Sequence, residues 1–405
     1  MACRLSIQNI NLKKATMQVG YCGNVHPGRT IDEVKQNLVK FAIDVKSQVR
    51  PDGLMGIGLW LSETAARELD DRDRLLEFRD WLAASGLLPF TLNGFPYGDF
   101  HQDVVKHDVY RPTWAETTRL DYTVRLAEIL NVLLPAEFDG TISTLPLGWP
   151  VDGPISHVDD EQFWKSCTRN LTICAQRLAD IAQSSGRNIF ACLEPEPGCI
   201  LDTYDDVIRF FDRNLLTSDP DTNQTIRNHI GICHDVCHSA VMFEEQDLAI
   251  AEYAKAGIRI GKVQVSSAVD VVFENETEAV KEAKLQQLSA FAEPKYLHQT
   301  SVKIDGKVTF YEDLTLAIAA AKDRPEGNWR VHFHVPIYSE SLDAIGTTQA
   351  DIQSCLMAIK ATGLPMPHWE IETYAWNVLP ERLKTESLAD GIANEIRWFD
   401  SLLEA

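Results

Sequence analysis

Short apolar runs recur along this chain, and each is followed by a stretch whose apolar positions fall at helical spacing. Near-continuous runs of this kind suit strands buried on both faces, as in a parallel sheet wrapped by helices. Met17 to Cys22 precedes a helix beginning near Thr30, Leu54 to Leu61 precedes one through Leu75 to Leu82, and Pro89 to Phe95 precedes one from Trp114 to Leu134. Gly140 to Leu147, Asn188 to Leu193, Ile230 to Asp235 and Ile258 to Val265 continue the series. Between two of them, Glu161 to Ser184 places Phe163, Cys167, Leu171, Cys174 and Leu178 on one helical face. Eight such units close an α/β barrel, so the pattern predicts a (β/α)8 TIM barrel as a single domain over residues 1–405.

The series overshoots near its end, because Arg330 to Ile337 and His368 to Tyr374 both read as strands. The region of about 270–328 reads as an insertion: a charged helix through Glu278 to Phe291, then Ser301 to Phe310, where Asp305-Gly306 between alternating residues signals a hairpin turn. Arg330 to Ile337 is therefore placed in an excursion before the last barrel strand.

Composition narrows the functional classes. With 45% hydrophobic residues in 405, the chain can bury a large core. A formal charge of −21 opposes phosphate neutralisation, so a small-molecule partner is expected and nucleic acid is not. No apolar run is long enough to span a membrane, and Met1 to Lys14 lacks the apolar segment of a signal peptide. Nine cysteines lie mostly within apolar runs, which suits buried thiols and a cytoplasmic location.

Candidate chemistry gathers where the predicted strands end, the place at which barrel enzymes build their sites. Asp235 precedes His238 by three residues, and a carboxylate oxygen with an imidazole nitrogen suits a divalent cation such as Zn²⁺ or Mn²⁺. Glu194 and Glu196 alternate in Leu-Glu-Pro-Glu-Pro-Gly, and Glu370 and Glu372 repeat that spacing in Trp-Glu-Ile-Glu-Thr-Tyr. His332 and His334 do so with imidazoles, while Lys262 and Gln264 supply a cation and an amide. Burial of unpaired ions costs several kcal/mol each, so groups of this kind inside a barrel mouth point to pairing through a cation. The loop from Phe95 to Pro112, with His107 and Arg111, is a candidate lid.

These motifs in this order resemble the xylose isomerase-like barrel superfamily of sugar isomerases, epimerases and endonuclease IV. Glu194 with Gly198, Asp235-Val-Cys237-His238, His332-Phe-His334 and Glu372-Thr373 are similar to successive motifs of the endonuclease IV branch. The resemblance covers roughly Gln18 to Leu379 and implies one cation held by Glu194, Asp235, Gln264 and Glu372, with His238 and His334 as further metal ligands. It implies that Glu194 and Glu372 also move the proton. Gln264 stands where the family has a metal-binding histidine, and the fourth strand ends in Ser-Thr-Leu-Pro-Leu-Gly without one, which departs from a three-metal site. An amide oxygen is acceptable to Mn²⁺ or Mg²⁺, so the metal stays open among Mn, Zn and Mg.

Tyr21-Cys-Gly-Asn-Val-His-Pro-Gly28, Leu92-Asn-Gly-Phe-Pro-Tyr-Gly98, His332-Phe-His-Val-Pro336 and Glu370-Ile-Glu-Thr-Tyr-Ala-Trp376 also resemble the EboE metabolite-traffic family. That resemblance implies a sugar-, polyol- or cyclitol-like metabolite, with a sugar phosphate as a variant. Its contacts are expected from His26, Asn93, His101, Glu196, Lys262, His332 and Glu370. The expected activity is isomerisation or epimerisation by proton transfer beside a carbonyl. A metal-dependent hydrolase of the endonuclease IV type and a non-catalytic metabolite-binding barrel are the alternatives.

Overall fold

The computed structural model describes residues 19–99, 101–136, 138–150, 160–322, 324–379 and 387–404. Seven parallel strands come first: β1 (Val19–Cys22), β2 (Met55–Trp60), β3 (Leu87–Asn93), β4 (Gly140–Thr144), β5 (Ile189–Leu193), β6 (Ile230–Asp235) and β7 (Ile260–Val265). The chain then builds a second sheet from β8 (Val269–Val272), β9 (Thr300–Ile304), β10 (Lys307–Tyr311), β11 (Asn328–Val331), β12 (Ser341–Leu342) and β13 (Ile345–Thr347). It returns through the helix Gln349–Thr362 to β14 (His368–Ile371), which closes the barrel between β7 and β1. The result is the predicted (β/α)8 barrel, with β14 as its eighth strand.

Sequence patterning accounts for most of this. The helix Glu161–Ser185 buries Phe163, Cys167, Leu171, Cys174 and Leu178, starts on an Asp160 cap and stops where Gly186 turns left-handed at φ 73°. All seven residues of β3 are buried, as expected of a strand covered on both faces. Phe90 plugs the barrel interior, and Gly56 makes room for it: a Cβ there would stand 2.6 Å from the phenyl ring. All eight cysteines among the described residues are free and buried.

The insertion is larger than the 270–328 read from sequence. β11 lies between β9 and β8, and β13 pairs with β8, so the antiparallel sheet extends to Thr347. β11 ends at Val331, and the His332–Pro336 segment leaves it as irregular chain, where a strand through Ile337 was expected. The β9–β10 hairpin turns on Asp305 and Gly306 at φ 50° and 79°, the two left-handed residues that a tight hairpin needs. Phe310 of β10 reaches the loop after β5, where a Cβ on Gly198 would approach its ring to 2.5 Å. Gly198, at φ 83°, thus lets the insertion sit against the barrel mouth.

Candidate metal and proton-transfer site

The C-terminal ends of the barrel strands open into a cleft with an empty volume of about 550 Å³, solvent included. Its lining includes Asn24, Asn93, Glu194, Glu196, His238, His332, His334 and Glu372 from the polar side, with Phe95, Tyr110, Tyr296 and Tyr374 as aromatic walls. Strand register brings the deeper donors together: β6 places Asp235 beside Gln264 of β7, and β14 places Glu370 beside the same Gln264. Oxygens of Glu194, Asp235 and Glu372 lie within 4.8 Å of one another, and donor atoms of Asp235, His238 and His334 do the same.

Several of these donors present a buried atom with no hydrogen-bond partner. Asp235 caps the short helix Val236–Val241; its Oδ1 accepts from the His238 N–H at 2.9 Å and from the Ser266 hydroxyl at 2.7 Å. Its Oδ2 is buried without a hydrogen-bond partner, as are Glu194 Oε2, His334 Nε2 and both amide atoms of Gln264. Asn24 and Asn93 donate to Glu372 Oε1 at 2.5 and 3.3 Å.

The imidazoles are oriented by the same logic. Carbonyl oxygens can only accept, so His238 Nδ1 donates to Pro195 O at 2.8 Å and His334 Nδ1 donates to Glu372 O at 2.7 Å. His332 Nδ1 donates to Gln299 Oε1 at 2.8 Å, because the Gln299 amide nitrogen is already directed at Tyr110 and Glu196, at 2.9 and 2.8 Å. Held this way, His332 and His334 each aim an Nε2 lone pair inward, whereas His238 is raised above its ordinary value against its burial by the carboxylates of Asp235, Glu196 and Glu194, which favours a proton on its Nε2. His238 Nε2 and His332 Nε2 stand 3.2 Å apart, and the Nε2 atoms of His238 and His334 each lie 3.8 Å from Asp235 Oδ2. Bare oxygens and converging lone pairs in a buried site are the donor set that a divalent cation satisfies.

The mutual electrostatics of these side chains agree. Burial raises the Glu194 carboxyl to about 7 against the pull of His238. Burial also raises Glu372 well above the carboxylate range, with Glu194, Asp235 and Glu370 adding repulsion. Asp235 ends below its ordinary value, because the imidazoles of His238 and His334 and two hydrogen bonds outweigh its burial. Burial pushes His334 down to about 4 and His332 well below its usual range, so both rings are neutral donors at neutral pH.

Not every residue named from sequence lines the cleft. Lys262 and Glu370 lie beneath it as an ion pair with Nζ and Oε2 2.5 Å apart, both 0% exposed, and Lys262 also donates to Ser143 Oγ at 3.3 Å. Gly58 makes this pair possible, since a Cβ there would fall 1.2 Å from Glu370 Oε1. His26 sits to one side, with Nε2 3.0 Å from the Tyr21 hydroxyl and its ring stacked on Phe41. His101 is turned to the Asn24 carbonyl at 2.7 Å. In the candidate lid, Val105, Lys106, Val109 and Tyr110 face the cleft, whereas His107 pairs with Glu312 at 2.8 Å.

Sequence reasoning missed Asn24, Tyr110 and Gln299. Asn24 lies two residues before His26 in Tyr21-Cys-Gly-Asn-Val-His-Pro-Gly28, where the imidazole is the more evident ligand. Tyr110 and Gln299 belong to a long loop and to the insertion, where no periodicity marks a site.

No family model matches the chain, and no curated protein does. Solved structures do resemble it. The IOLI protein, crystallised with a zinc atom, aligns over 96% of this chain and 98% of its own at 12% identity, with a TM-score of 0.50. A D-tagatose 3-epimerase-like protein aligns over 96% and 97% at 11% identity, also with a TM-score of 0.50. Likeness at this level concerns the fold, and the fold that this chain shares with them is the closed (β/α)8 barrel.

Proposed function

We propose that the chain is a metal-dependent isomerase or epimerase of a sugar, polyol or cyclitol-like metabolite, working by proton transfer beside a carbonyl. The observation that carries this reading is the buried group of Glu194, Asp235 and Glu372, three carboxylates with oxygens within 4.8 Å. Repulsion among them is severe unless a cation or shared protons occupy the group. Glu194, Asp235 and Glu372 would hold the cation, with Gln264 and His334 as flanking donors. When bound, the cation polarises the substrate oxygen and lowers the cost of charge developing there.

The chain's own residues would carry the proton. Glu194 and Glu372 leave different strands, so one carboxyl can take the α-proton while the other returns it. Asn24 and Asn93 fix the orientation of the Glu372 carboxylate by donating to its Oε1. Tyr110, Tyr296 and Tyr374 wall the cleft and limit water. The two solved relatives give this reading its chemical setting, one by its zinc atom and one by its epimerase name.

Deuterium wash-in from D₂O, screened over ketoses and cyclitols with the cation supplied, tests the proposal. Glu194→Gln or Glu372→Gln should lower exchange by about 10²-fold or more, the scale of a lost general base, with little change in substrate binding. Ligand binding without exchange in the parent would reject the proposal in favour of a binding barrel. A second reading, a hydrolase, has its own support in a second cluster of possible ligands, Glu196, His238 and His332, which suits a second cation. Phosphodiester cleavage without exchange would favour it.

A further inference from the structure

Glu395 lies on the C-terminal helix Leu388–Glu404, away from the cleft, and is 1% exposed. Three pieces of chain meet at its carboxylate. Oε1 accepts the Ile337 backbone N–H at 3.2 Å and the Thr373 hydroxyl at 2.5 Å, and Oε2 accepts the Trp376 indole N–H at 3.2 Å. Ile337 follows His334 on the irregular chain after β11, and Thr373 follows Glu372 directly. On the cleft side the same two segments are joined only a few residues away, by the bond from His334 Nδ1 to the Glu372 carbonyl.

A buried carboxylate is costly, and a helix packing on apolar neighbours does not need one. This one is matched to its donors, and the helix is shaped for the third of them. Gly391, one turn before Glu395, faces Trp376 so closely that a Cβ would stand 2.6 Å from the indole. We propose that Glu395 is a positioning residue: from behind the barrel wall it sets the register of the His334-bearing segment against the Glu372-bearing strand end. The inference rests on the metal reading of the site, because that register matters when an imidazole and a carboxylate must reach one cation.

Cobalt(II) titration of the purified full chain tests it, read by visible absorption for affinity and ligand geometry, with thermal unfolding measured alongside. Glu395→Ala should weaken cobalt binding about tenfold, the lower end for an outer partner of a metal ligand, and should alter the bound absorption spectrum. Thr373→Val, which removes one donor, and Glu395→Gln, which keeps an oxygen for Ile337 and Thr373, should show smaller losses in the same direction. These two variants carry the test if Glu395→Ala fails to fold. A lower unfolding temperature with unchanged cobalt affinity and spectrum in every variant would make the role structural only and overturn the inference. A parent chain that binds no cobalt would overturn the metal reading and this inference together, an outcome visible before any substitution is made.

Discussion

The two halves of the site are held by different kinds of backbone. Glu194, Asp235 and Glu372 leave the ends of parallel barrel strands, where ladder register fixes which side chains stand together. His332 and His334 leave the inserted sheet on irregular chain and are aimed by hydrogen bonds to Gln299 and to the Glu372 carbonyl. The carboxylate half is thus positioned by the fold that builds the barrel. The imidazole half is positioned by tertiary contacts that could be lost without unfolding it.

The largest effect should come from the barrel interior beneath both halves. Lys262→Met leaves Glu370 buried without its partner and should destabilise the chain by about 3–5 kcal/mol in urea unfolding, the cost of breaking a buried pair. A loss below about 1 kcal/mol would show that the pair does not brace the floor. Asp235→Ala comes next, since Asp235 belongs to both halves. It should weaken metal binding more than about 100-fold by dialysis against a mild chelator, beyond the usual range for an outer partner, with the circular dichroism of the barrel retained. Full metal retention would remove Asp235 from the site.

Gln264→His probes the carboxylate half alone. Imidazole outranks an amide for late first-row cations, so Zn²⁺ affinity should tighten about tenfold, near 1.4 kcal/mol, in a competition titration. Unchanged affinity would place the Gln264 amide, now without a protein partner, away from the cation.

The smallest effect is pH dependence. Burial raises Glu194 to about 7 in the folded chain, above an ordinary value of about 4.3, so folding binds a proton in that interval. Its stabilising contribution is complete below about 4.3 and is lost as pH rises through about 7. A cation competes with the proton for the same oxygen, so cation affinity should climb as pH rises through about 7, with Glu372, also raised by burial, extending the climb. Affinity that stays flat from pH 5 to 8 would mean that Glu194 does not titrate with binding.

What the sequence determined by itself was what repeats or alternates. The period of two in Glu194/Glu196 and Glu370/Glu372, the spacing of Asp235 and His238, and the strand-then-helix rhythm are local, because one backbone geometry sets each. The same local rules marked the Asp305-Gly306 turn and the helix Glu161–Ser185. Only the tertiary structure decided which alternating partner faces the cleft: Glu372 meets it, while Glu370 turns down to Lys262 in the space that Gly58 leaves. It also decided that Gln299 and Tyr110 join the site and that His26 and His101 turn away from it. Those outcomes depend on contacts between residues such as Tyr110 and Gln299, which are 189 positions apart, and no local periodicity encodes them.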